Sequence, residues 1–165
     1  MGLDPEDFAT AEQVHGGEVA LVDSHGQRAG VDGLITNRQG LALGIVVADC
    51  CAVFIIDPVR EVIGLVHSGK KGTEAKISVV AIRQMAAQFG SRAEDLVVRL
   101  SPCIRPPAYE VDFAASIRAQ IEAAGVPAES VYDDGICTTS DLDRYYSYRA
   151  EKGATGRMLA VLALA

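Results

Sequence analysis

The chain has 165 residues, 49% of them apolar and 22% charged, with a net charge of −7 and a mean hydropathy of +0.19. That length suits one domain spanning residues 1–165, and the apolar content excludes a disordered chain. The acidic balance argues against nucleic acid or an anionic membrane as partner, because neither phosphate surface would be neutralised.

In chain order, residues 1–7 carry neither the basic nor the apolar region of a secretory signal, so a cytoplasmic location is expected. Residues 3–12 begin like a helix, with Asp4 as N-cap and Pro5 in the first turn. Residues 18–23 and 33–36 read as short strands separated by a polar turn at 24–27. Residues 41–48, 52–56 and 62–67 are β-rich apolar runs of the kind that suits strands covered on both faces. The first of these, the longest apolar stretch, falls well short of the ~20 residues that span a bilayer. Over 73–89 the positions Ile77, Val80, Ile82, Met85 and Phe89 share one helical face, and Gly90 is placed to end the helix. A strand at 96–100 leads into a proline-rich loop at 101–107 that cannot be regular. A second amphipathic helix at 113–124 stops at Gly125, and 158–164 reads as a terminal strand.

Only three histidines are present, and two of them stand at element boundaries: His15 before the first strand and His67 at the end of the third apolar run. Cys50 marks another boundary. Small or acidic neighbours (Gly16, Gly17, Asp49, Ser68, Gly69) leave room for a ligand. Imidazole and thiolate donors together suit zinc, and three protein ligands leave a coordination position open, as catalytic sites do. The spacing is not a local metal motif, so residue type alone leaves a plainer reading in place: a buried cysteine and two hydrogen-bonding histidines. The adjacent pair Cys50 and Cys51 would alternate faces on a strand and is poorly placed to bridge.

The ordered motifs Glu12-Gln13-Val14-His15-Gly16, Ala48-Asp49-Cys50, Val66-His67-Ser68-Gly69-Lys70-Lys71-Gly72, Ser101-Pro102-Cys103-Ile104, Tyr109-Glu110-Val111, Cys137-Thr138 and Tyr145-Tyr146-Ser147-Tyr148-Arg149 with Thr155-Gly156-Arg157 extend from residue 12 to the C-terminus. The set resembles the YfiH or polyphenol-oxidase-like (laccase domain) family, whose patterns are QVHG, ADCxPV, AHAGWRG, GPCIGPCCYEV, CT, FFSYRR and TGR. The resemblance implies an α+β fold of mixed β-sheet layers flanked by helices, related to cysteine-hydrolase toxin domains. It also implies a zinc site on His15, Cys50 and His67. The activity implied is that of a purine nucleoside phosphorylase acting on adenosine, inosine, guanosine or methylthioadenosine, with adenosine deamination beside it. Copper is the alternative ion, but three histidines cannot supply a multicopper cluster.

Two departures stand out. Residues 1–11 show nothing like the family's GGVS-type loop and its pocket arginine, which a partner subunit could supply. Lys70-Lys71 replaces the family's Trp-Arg, so Lys71 keeps a positive charge for phosphate without the bidentate fork. Cys50, His67 and Asp49 are the candidate catalytic residues; Lys71, Glu110 and Arg149 are candidates for binding substrate. Asp49 could orient a neighbour or act as a base. Cys51, Cys103 and Cys137 read as structural, and His25 as exposed. Two other functions stay open: a metal-free cysteine hydrolase using Cys50 with His67 as base, and a shortened, non-catalytic zinc-binding relative. The expected partners are a nucleoside and phosphate, with a homo-oligomer left open.

Overall fold

The computed structural model describes residues 8–164. In chain order they form β1 (Phe8–Ala11), β2 (Val19–Leu21), β3 (Gly26–Arg28), β4 (Gly33–Thr36), β5 (Ala42–Val47), β6 (Cys51–Asp57), β7 (Val62–Ser68), α1 (Lys70–Glu74), α2 (Ile77–Phe89), β8 (Val97–Leu100), α3 (Phe113–Ala123), β9 (Val131–Asp133) and β10 (Met158–Ala163). The strands make two mixed sheets, ordered β10-β5-β1-β3 and β2-β4-β7-β6-β8-β9. With the helices outside them, this is the expected α+β class.

Alternation along the central strands produces the layers, because successive side chains on a strand point to opposite faces. On β6, Cys51, Val53 and Ile55 join the core beneath α2 and α3, where Ile77, Ala81, Met85, Ile117 and Ile121 are buried. Ala52, Phe54 and Ile56 instead pack toward the smaller sheet, with Ile63 and Leu65 of β7 and Leu43 and Ile45 of β5. Both faces of the larger sheet are covered, which explains why β6 and β7 read as near-continuous apolar runs.

Three sequence expectations need correction, and one strand went unread. The helical start assigned to 3–12 falls partly on residues 1–7, which lie outside the described residues; its described part, Phe8–Ala11, is a strand. Its burial alternates, with Ala9 and Ala11 inward, and it pairs in parallel with β3 and β5. That register draws Gly26 and Gln27 out of the polar turn and, with Arg28, into β3. The helix assigned to 73–89 begins earlier and breaks in two: Lys76 takes a left-handed backbone (φ 57°), and the chain turns there between α1 and α2. Finally, β9 was not legible, since three residues offer no alternation to read; it pairs in parallel with β8.

Candidate metal centre

Two of the three passages from the smaller sheet to the larger one each deliver a donor. The chain leaves β1, crosses through residues 12–18 and enters β2, and His15 sits on that crossing. It leaves β5, turns through residues 48–50 and enters β6, and Cys50 sits on the second. His67, one residue from the end of β7, shares the strand face of Ile63 and Leu65 and so points into the seam between the sheets. The donor atoms of His15, Cys50 and His67 all lie within 4.8 Å of one another. The two imidazoles meet edge to face, with centroids 4.9 Å apart.

Both crossings hold unusual backbone. Gln13 and His15 each have φ 61°, and Asp49 has φ 83°, conformations uncommon for residues other than glycine that persist where surrounding contacts enforce them. Gln13 is fixed to β5 by its side-chain amide, which donates to the Val46 carbonyl (2.7 Å) and accepts from the Val46 N–H (2.8 Å). Asp32, fully buried just before β4, accepts from the N–H groups of His15 (2.8 Å) and Gly16 (2.6 Å). The same carboxylate meets His67 Nδ1 at 2.9 Å, and the Asp32 carbonyl accepts from the His67 N–H at 2.7 Å. Burial by itself would raise the Asp32 carboxyl, but the Gly16, His67 and His15 donors hold it below the ordinary carboxylate value. Burial lowers the His67 imidazole, against the opposing pull of Asp32.

Cys50 is half-buried, and burial, followed by the nearby charge of Asp49, pushes its thiol up to about 11. Gly69 makes room for the sulfur: a Cβ there would lie 2.4 Å from Cys50 Sγ. Asp49 is buried, with both carboxylate oxygens engaged. One accepts from the Thr138 hydroxyl (2.6 Å) and the other from the Arg149 N–H (2.7 Å). Its carbonyl accepts from the Ile104 N–H at 2.8 Å. Asp49 thereby ties three distant segments to the turn that carries Cys50.

Two cavities open on the donor group. The larger, about 610 Å³, is walled by Val46, Ile104, Tyr109, Phe113, Tyr148 and Arg149. The smaller, about 300 Å³, is walled on its other side by Gly69, Lys70, Lys71 and Gly72. Of the sequence candidates, Lys71 therefore lines the small cavity and Arg149 the large one. Glu110 is exposed and reaches Arg149 at 3.5 Å, while the Arg149 guanidinium lies 5.3 Å from the centroid of the Tyr109 ring. Cys51 and Cys103 are buried in the helix-side core with Cys137 packed against it, and His25 is exposed. The sequence reading missed Asp32, Gln13 and Thr138 as contributors. The one local signal for Asp32 was an acid abutting the apolar strand Gly33–Thr36.

The donor set fits a divalent metal. Two imidazole nitrogens and one sulfur match zinc, and donors around one zinc stand roughly 3.5 Å apart, a separation that side-chain rotation can reach from the observed one. Multinuclear copper does not fit: with His25 outside the group, only two imidazoles are available. Among the described residues no helix is long and apolar enough to cross a membrane.

Fold and donors define a mixed α+β protein with a three-donor, metal-type centre in the seam between its sheets. The chain belongs to the multi-copper polyphenol oxidoreductase laccase family, whose model matches residues 1–115 and 109–165. The resemblance carried by its motifs thus holds across the whole chain. A purine nucleoside phosphorylase of Deinococcus radiodurans is 34% identical over 190 residues, covering 99% of this chain and 73% of that protein. Adenosine deaminase RL5, from an unknown prokaryotic organism, is 25% identical over 189 residues, covering 90% and 72%. The crystal structure of YlmD from Geobacillus stearothermophilus matches with a TM-score of 0.94 and 27% identity, covering 98% of this chain and 74% of that one.

Proposed function

We propose that this chain is a zinc-dependent enzyme acting on purine nucleosides, by phosphorolysis of the glycosidic bond and by deamination of adenosine. The observation that carries the reading is the His15, Cys50 and His67 group at the junction of two unlike cavities. It is supported by relatives named purine nucleoside phosphorylase and adenosine deaminase. Zinc held by these residues would supply Lewis acidity and lower the pKa of a bound water toward neutrality.

The chain's own residues then divide the work. The large cavity presents Tyr109, Phe113, Tyr148 and Ile104, rings and apolar edges that suit a flat heteroaromatic base. The small cavity presents Lys70 and Lys71, whose ammonium groups suit a phosphate approaching the ribose carbon from the opposite side. Arg149 can reach an anionic or ribose group in the larger cavity, steadied meanwhile by Glu110. Asp49, with both oxygens committed, positions the Tyr148–Arg149 wall rather than taking a proton. His67, kept neutral by burial, serves as a nitrogen donor.

A metal-free cysteine hydrolase is the second reading, and the Asp32–His67 hydrogen bond beside Cys50 favours it. The elevated Cys50 thiol counts against it, because the thiolate is the nucleophile. The test is to incubate zinc-loaded protein with adenosine, inosine and methylthioadenosine, with and without phosphate, and to separate the products. We expect release of free base that requires phosphate, or inosine from adenosine, and loss of both in His67→Ala. Absence of turnover on every nucleoside overturns the proposal.

A further inference from the structure

We infer that Asp32 is the positioning residue of the metal centre, holding both histidines in place before any ion arrives. The inference rests on the metal-binding reading of His15, Cys50 and His67. One carboxylate gathers three donors: the backbone N–H groups of His15 and Gly16 and the ring nitrogen Nδ1 of His67. Its backbone carbonyl takes a fourth, the His67 N–H. Two ligands that lie 52 residues apart in sequence are therefore fixed by a single side chain.

Each contact has a separate consequence. An ionised carboxylate only accepts hydrogen bonds, so the contact at Nδ1 requires the proton on that nitrogen and leaves Nε2 with its lone pair for a metal. The bonds from His15 and Gly16 hold a loop whose residues Gln13 and His15 are left-handed, a conformation the free chain would abandon. Charge is the third consequence. A divalent ion held with one thiolate would leave a net +1 in a partly buried seam, which the Asp32 carboxylate would offset.

Asparagine has nearly the same shape but turns one oxygen into a donor, which cannot accept from His67 or from the backbone N–H groups. Removing such an outer partner typically weakens metal binding by about 10–100-fold.

Three readouts test the inference. In wild-type protein stripped of metal, long-range proton–nitrogen NMR of the imidazoles should find His67 with its proton on Nδ1; a proton on Nε2 overturns the inference, and this needs no variant. In chelator competition Asp32→Asn should bind zinc 10–100-fold more weakly than wild type, and the visible spectrum of its cobalt form should shift. Asp57→Asn is the control for general loosening. That residue is equally buried but caps the turn after β6 through Val59 and Arg60, so its zinc affinity should match wild type. Equal affinity and equal cobalt spectra in wild type and Asp32→Asn overturn the inference, as does an equal loss in Asp57→Asn. If wild type itself takes up no metal, the underlying metal reading fails instead.

Discussion

Cys50 shows how one residue's surroundings set its chemistry. Burial and the charges of Asp49, Cys103 and Asp32 raise its thiol from an ordinary value near 9 to about 11, so without metal it stays protonated at neutral pH. A bound ion must displace that proton. In the metal-free protein the sign of the linkage is fixed. A group whose folded value is raised contributes stability that is fully present below its ordinary value and is lost as pH climbs through the folded one. Urea unfolding of chelated wild type should therefore weaken between pH 9 and about 11 more steeply than that of Cys50→Ala. Parallel pH profiles for the two proteins would contradict the assignment. Asp32 was illegible at this scale for a physical reason: its partners His15, Gly16 and His67 are remote in sequence, and a lone acid before an apolar strand announces none of them.

At the scale of elements, the centre exists because two of the chain's passages between the sheets converge. The β1-to-β2 and β5-to-β6 passages leave regular pairing in the same seam, and the end of β7 points into it. The apolar runs 41–48, 52–56 and 62–67 announced β5, β6 and β7 within a residue or two, since burial on both faces writes itself as continuous hydrophobicity. That β5 and β6 belong to different sheets was not written there, because alternation specifies faces and not partners. The left-handed Lys76 was equally hidden inside a helical pattern. Close packing at the junction gives a test. A Cβ on Gly33 would meet Val66 Cγ1 at 2.6 Å and Val19 Cγ2 at 2.9 Å, both in the buried helix-side core. Gly33→Ala should cost about 1–3 kcal/mol in urea unfolding, the range for overpacking a filled core. An unchanged midpoint would mean that β2, β4 and β7 are not packed as described.

Over the whole molecule, an acidic chain of net charge −7 places Lys70, Lys71, Arg149 and Arg157 around the cavities of its candidate centre. Cations gathered at a cleft draw anionic ligands even against the overall charge. Family motifs in sequence order carried the assignment of the three donors, and the fold supplied what motifs lack: Asp32 behind His67, Gln13 bracing the loop, and Asp49 tying Thr138 and Arg149 to the Cys50 turn. The central claim, that His15, Cys50 and His67 hold one divalent metal, is tested most directly by elemental analysis of freshly purified protein beside Cys50→Ala. About one zinc per chain is expected in wild type, as three donors with an open position imply, and near-complete loss in the variant. Metal-free wild type with full nucleoside turnover, or undiminished zinc in Cys50→Ala, would contradict it.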